Sequence, residues 1–167
     1  TGYNNTAVGY LSQIINTVGI RNVSLGGYTL YNNVASYNTA VGFNSLFTST
    51  TGANNTAVGY NSLGANTTGA NNTSVGYIAM SLNTTGANNV AMGKDALDSN
   101  TTGSSNVSIG SDSLQGNITG ASNTAIGTQA LKSNTVSNNT AVGQSALEDN
   151  TTGADNVAVG KGALDAN

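Results

Sequence analysis

An aliphatic residue followed by Gly returns along the chain at Val8, Leu25, Val41, Val58, Val75, Met92, Ile109, Ile126, Val142 and Val159. Four residues after each of those Gly stands a second apolar position, Leu or Met in nine copies, with Gln13 the exception. Asn opens the same pentad every time, at 5, 22, 38, 55, 72, 89, 106, 123, 139 and 156, so that the spacings are 17, 16, 17, 17, 17, 17, 17, 16 and 17. So regular a period predicts an array of stacked repeats rather than a globular core. The pentad is short, rich in β-branched residues and closed by Gly, which reads as a strand of about four residues whose side chains alternate between two faces. In the fourth copy Thr56 and Val58 share one face, and Asn55, Ala57 and Gly59 lie on the other. The aliphatic columns are expected to fill the core, which puts the Val58 side inward. At Ser62-Leu63 a second short strand and a single helical turn fit the pattern equally. Asn66-Thr67-Thr68-Gly69 is turn chemistry, with Gly expected to supply a positive φ and Asn to bond the local backbone.

Two repeats are one residue short. Both deletions fall in the turn, at Asn33–Tyr37 and Asn134–Asn138, where Ser stands in the place expected for Gly. The strand and Leu columns keep their residues, as they must if loops absorb length changes and stacked positions cannot. When coils stack at about 4.8 Å per rung, each position meets its own equivalent above and below. Asn55, Val58, Gly59, Leu63, Asn72, Val75, Asn89 and Met92 are therefore read as members of structural ladders, with the Asn amides cross-bonding from rung to rung. The fold class that follows is all-β: a parallel β-solenoid, or β-roll, of ten 16–17-residue rungs forming a single repeat array over residues 1–167.

Two large aliphatics per rung bury little. At about 1.5–3 kcal/mol each they fall short of the backbone entropy of 17 ordered residues, at about 1–2 kcal/mol apiece. The column two residues after the pentad Asn holds only Ala or Ser. A face limited to small side chains lets another backbone approach closely, so chains are expected to intertwine or pack on the Ala57 side as a homotrimer, with end-to-end stacking as a further self-contact.

Composition narrows the chemistry. There is no His, Cys, Pro or Trp, and only seven carboxylates and four cations. Without an imidazole or a thiolate the usual bases, nucleophiles and metal ligands are missing, so no enzyme, cofactor or metal site is expected. A net charge of −3 offers no basic patch for nucleic acid, and no apolar run suits membrane insertion. All aromatics lie within residues 1–77, and all carboxylates lie at or after Asp95. Tyr10, Phe43, Tyr60 and Tyr77 share one column and form a candidate surface for host or surface glycans, against the plainer reading of stacking between rungs. Asp95 and Asp112 are equivalent positions on adjacent rungs, either a shared cation site or a solvated edge beside Lys94. Sequons such as Asn22-Val23-Ser24, Asn54-Asn55-Thr56 and Asn66-Thr67-Thr68 recur as by-products of the Asn and Thr columns. The Thr67-Thr68 pair raises ice binding, but it sits in a turn and not in a flat strand.

The pentad resembles the Asn-Ser-Val-Ala-Ile-Gly repeats of trimeric autotransporter adhesin heads, and the longer motif is similar to repeats of phage and other viral fibres. That resemblance spans the chain, although the period here is longer than in the adhesin heads. It implies a β-roll whose Val58-type residues fill each coil while Ala57-type residues face a trimer axis, and it implies attachment to a surface. It carries over no binding residue. The expected function is a structural segment of an extracellular fibre, on a cell surface or virion, that supports attachment or adhesion; the alternative is a receptor- or glycan-binding module using its own aromatic rungs. Both ends fall at a repeat boundary, which raises the expectation of an internal fragment of a longer fibre.

Overall fold

The computed structural model describes residues 2–165; the expectation drawn from Asn167 lies outside the described residues. Among the described residues ten three-residue strands make one parallel sheet in chain order: β1 (Thr6–Val8), β2 (Val23–Leu25), β3 (Thr39–Val41), β4 (Thr56–Val58), β5 (Thr73–Val75), β6 (Val90–Met92), β7 (Val107–Ile109), β8 (Thr124–Ile126), β9 (Thr140–Val142) and β10 (Val157–Val159). Every pairing is in register, Thr56 against Thr73 and Val58 against Val75, so each repeat is one rung of a parallel β-solenoid. The short rungs keep that register, with Val23 opposite Thr39 and Thr124 opposite Thr140.

The two strand faces are separated as the alternation predicts, but the inside is the other one. Ala40, Ala57, Ala91, Ala125 and Ala141 are fully buried, whereas Leu25, Val75, Met92, Ile109 and Ile126 are exposed and Val58 is partly so. The expectation that Val58, Val75 and Met92 fill the coil is therefore overturned, and so is the Ala57 face as a chain-to-chain contact. The physical reason is space. A three-residue strand faces the returning segment of its own coil, where Leu63 and its equivalents already occupy the interior. Only a methyl or hydroxymethyl fits opposite them. Where both sides carry hydroxyls they bond across the coil, as Ser62 Oγ does to Ser74 Oγ at 2.7 Å.

Neither a second strand nor a helix forms at Ser62-Leu63. The backbone runs through linked turns in which alternate residues are left-handed, with φ of 51° at both Asn61 and Leu63. Leu30, Leu46, Met80, Leu97, Leu114, Leu131 and Leu147 repeat the same geometry and are fully buried. A left-handed non-Gly residue costs roughly 1–2 kcal/mol, while burying a Leu contributes about 1.5–3 kcal/mol. Burial wins, which is why the column keeps Leu and not Gly.

The pentad Gly does require its freedom. Gly59 has φ of 136°, and a Cβ there would sit 2.1 Å from the Gly76 carbonyl oxygen of the next rung. The turn Gly behaves differently from expectation: Gly69 has no positive φ, and it is small because the Gly86 carbonyl and the Asn66 amide oxygen approach within 2.4 Å of where its Cβ would be. In the short rungs the residue in that place is not Ser36 or Ser137 but the preceding one. Asn33 donates to the Ala35 carbonyl and Asn134 to that of Val136, as Asn66 does to that of Gly69.

Two Asn ladders line the interior. In the pentad column the amide bonds backbone: Asn55 Oδ1 accepts from the Asn72 N–H at 2.9 Å, and Asn55 Nδ2 donates to the Gly69 carbonyl at 2.9 Å. The amide-to-amide cross-bonding expected there belongs instead to the turn Asn. Asn83 donates to Asn66 Oδ1 at 2.9 Å and Asn100 to Asn83 Oδ1 at 2.7 Å. In the sequence that second ladder shows only as a recurring Asn, whose bond to its own turn, Asn66 to the Gly69 carbonyl, hides the one it receives from the next rung.

Candidate functional site

Among the described residues there is no pocket, and no group of His, Cys, Asp or Glu is arranged to hold a metal ion. What the rod offers is surface, repeated rung by rung. Two columns leave the sheet outward. One is Thr or Val in all ten rungs: Thr6, Val23, Thr39, Thr56, Thr73, Val90, Val107, Thr124, Thr140 and Val157. The other is the aliphatic column, with Val8, Leu25, Met92 and Val159 exposed at 55%, 50%, 41% and 71%. Neither column carries a charge. A solvent-facing column that stays apolar through ten repeats is under a constraint that solvation does not impose, because the next outward position drifts freely through Tyr10, Gly27, Phe43, Tyr60, Tyr77, Lys94, Ser111, Thr128, Gln144 and Lys161. The outward face was missed in the sequence because alternation divides residues into two faces without saying which is inside.

The aromatic column is gathered as expected, and its rings pack on one another. Phe43 and Tyr60 are stacked at 6.0 Å between centroids and 7° between planes, and Tyr60 and Tyr77 at 5.4 Å and 15°. Gly27 interrupts the column, and the Tyr28 ring fills the gap edge-on, 5.4 Å from Tyr10 and 5.6 Å from Phe43. Tyr31 and Phe47 extend the cluster, stacked at 5.2 Å. Tyr60 therefore has Phe43 on one side and Tyr77 on the other. A sugar ring stacking on the face of Tyr60 must displace one of them; the outward edges and hydroxyls remain exposed.

The acidic edge shows an intra-rung contact. Lys94 pairs with Asp95, and the hydrogen bond and charge of that carboxylate raise the ammonium pKa. Asp112 accepts from its neighbour Ser111 at 3.2 Å. Asp98, half-buried, is raised above the usual carboxylate range, chiefly by burial, although the Ser81 hydroxyl that bonds it acts the other way. The sequons divide by burial. Asn22 and Asn66 are fully buried in the ladders, whereas Asn54 is exposed at a corner. The Thr pair divides too: Thr67 donates its hydroxyl to the Thr84 carbonyl at 3.0 Å, and Thr68 is exposed.

No protein-family profile matches the chain, and no curated protein or solved structure is significantly similar to it, so the likeness to adhesin-head and viral-fibre repeats rests on the pentad and turn motifs alone.

Proposed function

We propose that the chain is a rod-forming structural segment of an extracellular fibre, on a cell surface or virion, that supports attachment. The observation that carries this reading is a backbone ladder running around much of the coil. Besides the strand pairs, Asn61 N–H bonds the Phe43 carbonyl of the rung before, and Leu63, Ala65 and Thr67 bond Ala79, Ser81 and Thr84 of the rung after. Each rung leans on its neighbours, and the length of the rod is set by the number of rungs. A scaffold of this kind separates two points in space and needs no cleft. At about 4.8 Å per rung, ten rungs span roughly 45 Å. The Ala57 column, buried within the coil, offers no face for the lateral packing of three chains, and the rod reading does not depend on such packing.

Immunogold labelling of the source with antibody to this chain tests the proposal. Gold along filaments projecting from a surface is the expected result. Labelling confined to the interior, with no surface filament, overturns it.

A further inference from the structure

The geometry points to a second function for the outer sheet face: adsorption to ice. This inference stands apart from the fibre reading, because it concerns the chemistry of one wall of the rod and not where the rod is mounted.

Of the 20 outward strand positions, six Thr and four Val make the first column, and six Val and two Ile stand in the second, leaving only Leu25 and Met92 unbranched at Cβ. β-Branched side chains are restricted at χ1, so their methyls and hydroxyls are presented in few positions. Thr and Val have nearly the same shape. Their exchange in the first column preserves where the γ atoms stand while the hydroxyl comes and goes, which is the signature of a surface selected for form rather than for one hydrogen bond.

Spacing is set by the sheet. Rungs repeat at about 4.8 Å, and outward neighbours two residues apart on a strand lie about 6.6 Å apart. The rung repeat falls close to the short lattice repeat of hexagonal ice, while the two-residue spacing falls somewhat below the long one, so it is the rows along the rod axis that place water held over the methyls to join a growing crystal face. The array is also unbroken. Both one-residue deletions are taken up in the turns, at Asn33–Ala35 and Asn134–Val136, and the strand register continues through them. No charged residue lies among the 20 positions to hold liquid water in competing orientations.

A second copy is the other occupant to weigh. Two columns over ten rungs, each column about 6.6 Å wide, give a strip of roughly 600 Å², below the about 800 Å² per partner of a standard stable interface. The strip lacks the aromatic and Arg anchors in which interfaces are enriched. Ice makes no such demand, since many small matched contacts along a rigid row act together. The turn Thr pair is not the site: the Thr67-type hydroxyls donate to the next rung's carbonyls.

The experiment is thermal hysteresis and ice-recrystallisation inhibition with the purified chain, beside the double variant Thr56→Tyr, Thr73→Tyr. The control is Asp149→Tyr, which lies beyond the Leu column in its rung. The expected result is faceted ice and measurable hysteresis for the native chain and the control, and loss of both when two Tyr rings interrupt the middle of the face, with unchanged circular dichroism. If the double variant fails to fold, Val75→Lys, which places a charge on an exposed side chain, supplies the same comparison. Native protein that neither shapes ice nor slows recrystallisation overturns the proposal. So does sedimentation showing dimers or trimers that the face variants dissociate, which assigns the face to a second copy. Either outcome leaves the surface labelling, and with it the fibre reading, to stand or fall separately.

Discussion

At the scale of single residues, the inversion of the strand faces sets the sharpest contrast. Ala57 has no accessible surface and Val58 is only partly covered. Ala57→Leu should therefore destabilise by about 1–3 kcal/mol or more through overpacking. Val58→Asp should leave folding nearly intact, since the new carboxylate reaches water. Thermal melts of the two variants check this; an equal loss would return Val58 to the core. Gly59→Ala combines a forbidden φ with a backbone clash, and should cost about 1–3 kcal/mol from strain before the clash is counted. Denaturant titration should place it well below the native chain. Asp98 gives a pH signature. Its folded pKa is raised, so the folded state binds the proton more tightly than the unfolded state does, and stability falls as pH rises from the ordinary carboxylate range through the raised value. Asp98→Asn should melt higher than the native chain at neutral pH, with the gap closing as acid protonates Asp98 in both states.

At the scale of the rung, the period was legible because stacking makes each constrained position recur, and the strand, its register and the Leu column follow from it directly. Three features were not legible, each for a physical reason. Alternation is symmetric between faces, so Val58 and Ala57 exchanged roles. The left-handed Leu63 has no local signature, since that conformation is imposed by the burial it achieves and not by propensity. The turn Asn66 looks the same in sequence whether it caps its own turn or bonds the next rung, and it does the first through Gly69 while receiving the second from Asn83. This ladder carries its own prediction. In the short rung Asn134 turns toward Val136 and receives Asn139 and Asn150, which leaves Asn117 Oδ1 buried without a partner. Asn83→Ala removes bonds to both neighbours, Asn66 and Asn100, and should cost about 1–3 kcal/mol for each buried group left unpaired. Asn117→Ala should cost less, because its oxygen is already unpaired. Hydrogen exchange across residues 117–139 against 66–100 reads the same difference without a mutation: the first segment should open sooner.

At the scale of the whole molecule, rungs touch only their neighbours, and the sheet order β1 to β10 is the chain order. Stability is then close to a sum of rung and interface terms, and no single rung holds the rest in place. The consequence is tolerance to changes in phase and intolerance to changes out of phase. Deleting residues 68–84, one full period, joins Thr67 to Thr85 and brings Asn66 and Asn100 into neighbouring rungs, so both Asn ladders, the Leu column and the outward Thr/aliphatic face close again. Deleting residues 68–75, about half a period, sets Leu63 and every ladder residue against the wrong neighbours and exposes a strand-length error that no turn can absorb. The in-phase variant should remain folded, melt close to the native chain, and be shorter by about one 4.8 Å rung in small-angle scattering. The out-of-phase variant should lose cooperative melting. If both deletions unfold the chain, the rungs depend on contacts beyond their immediate neighbours, and the one-dimensional account of this rod is wrong.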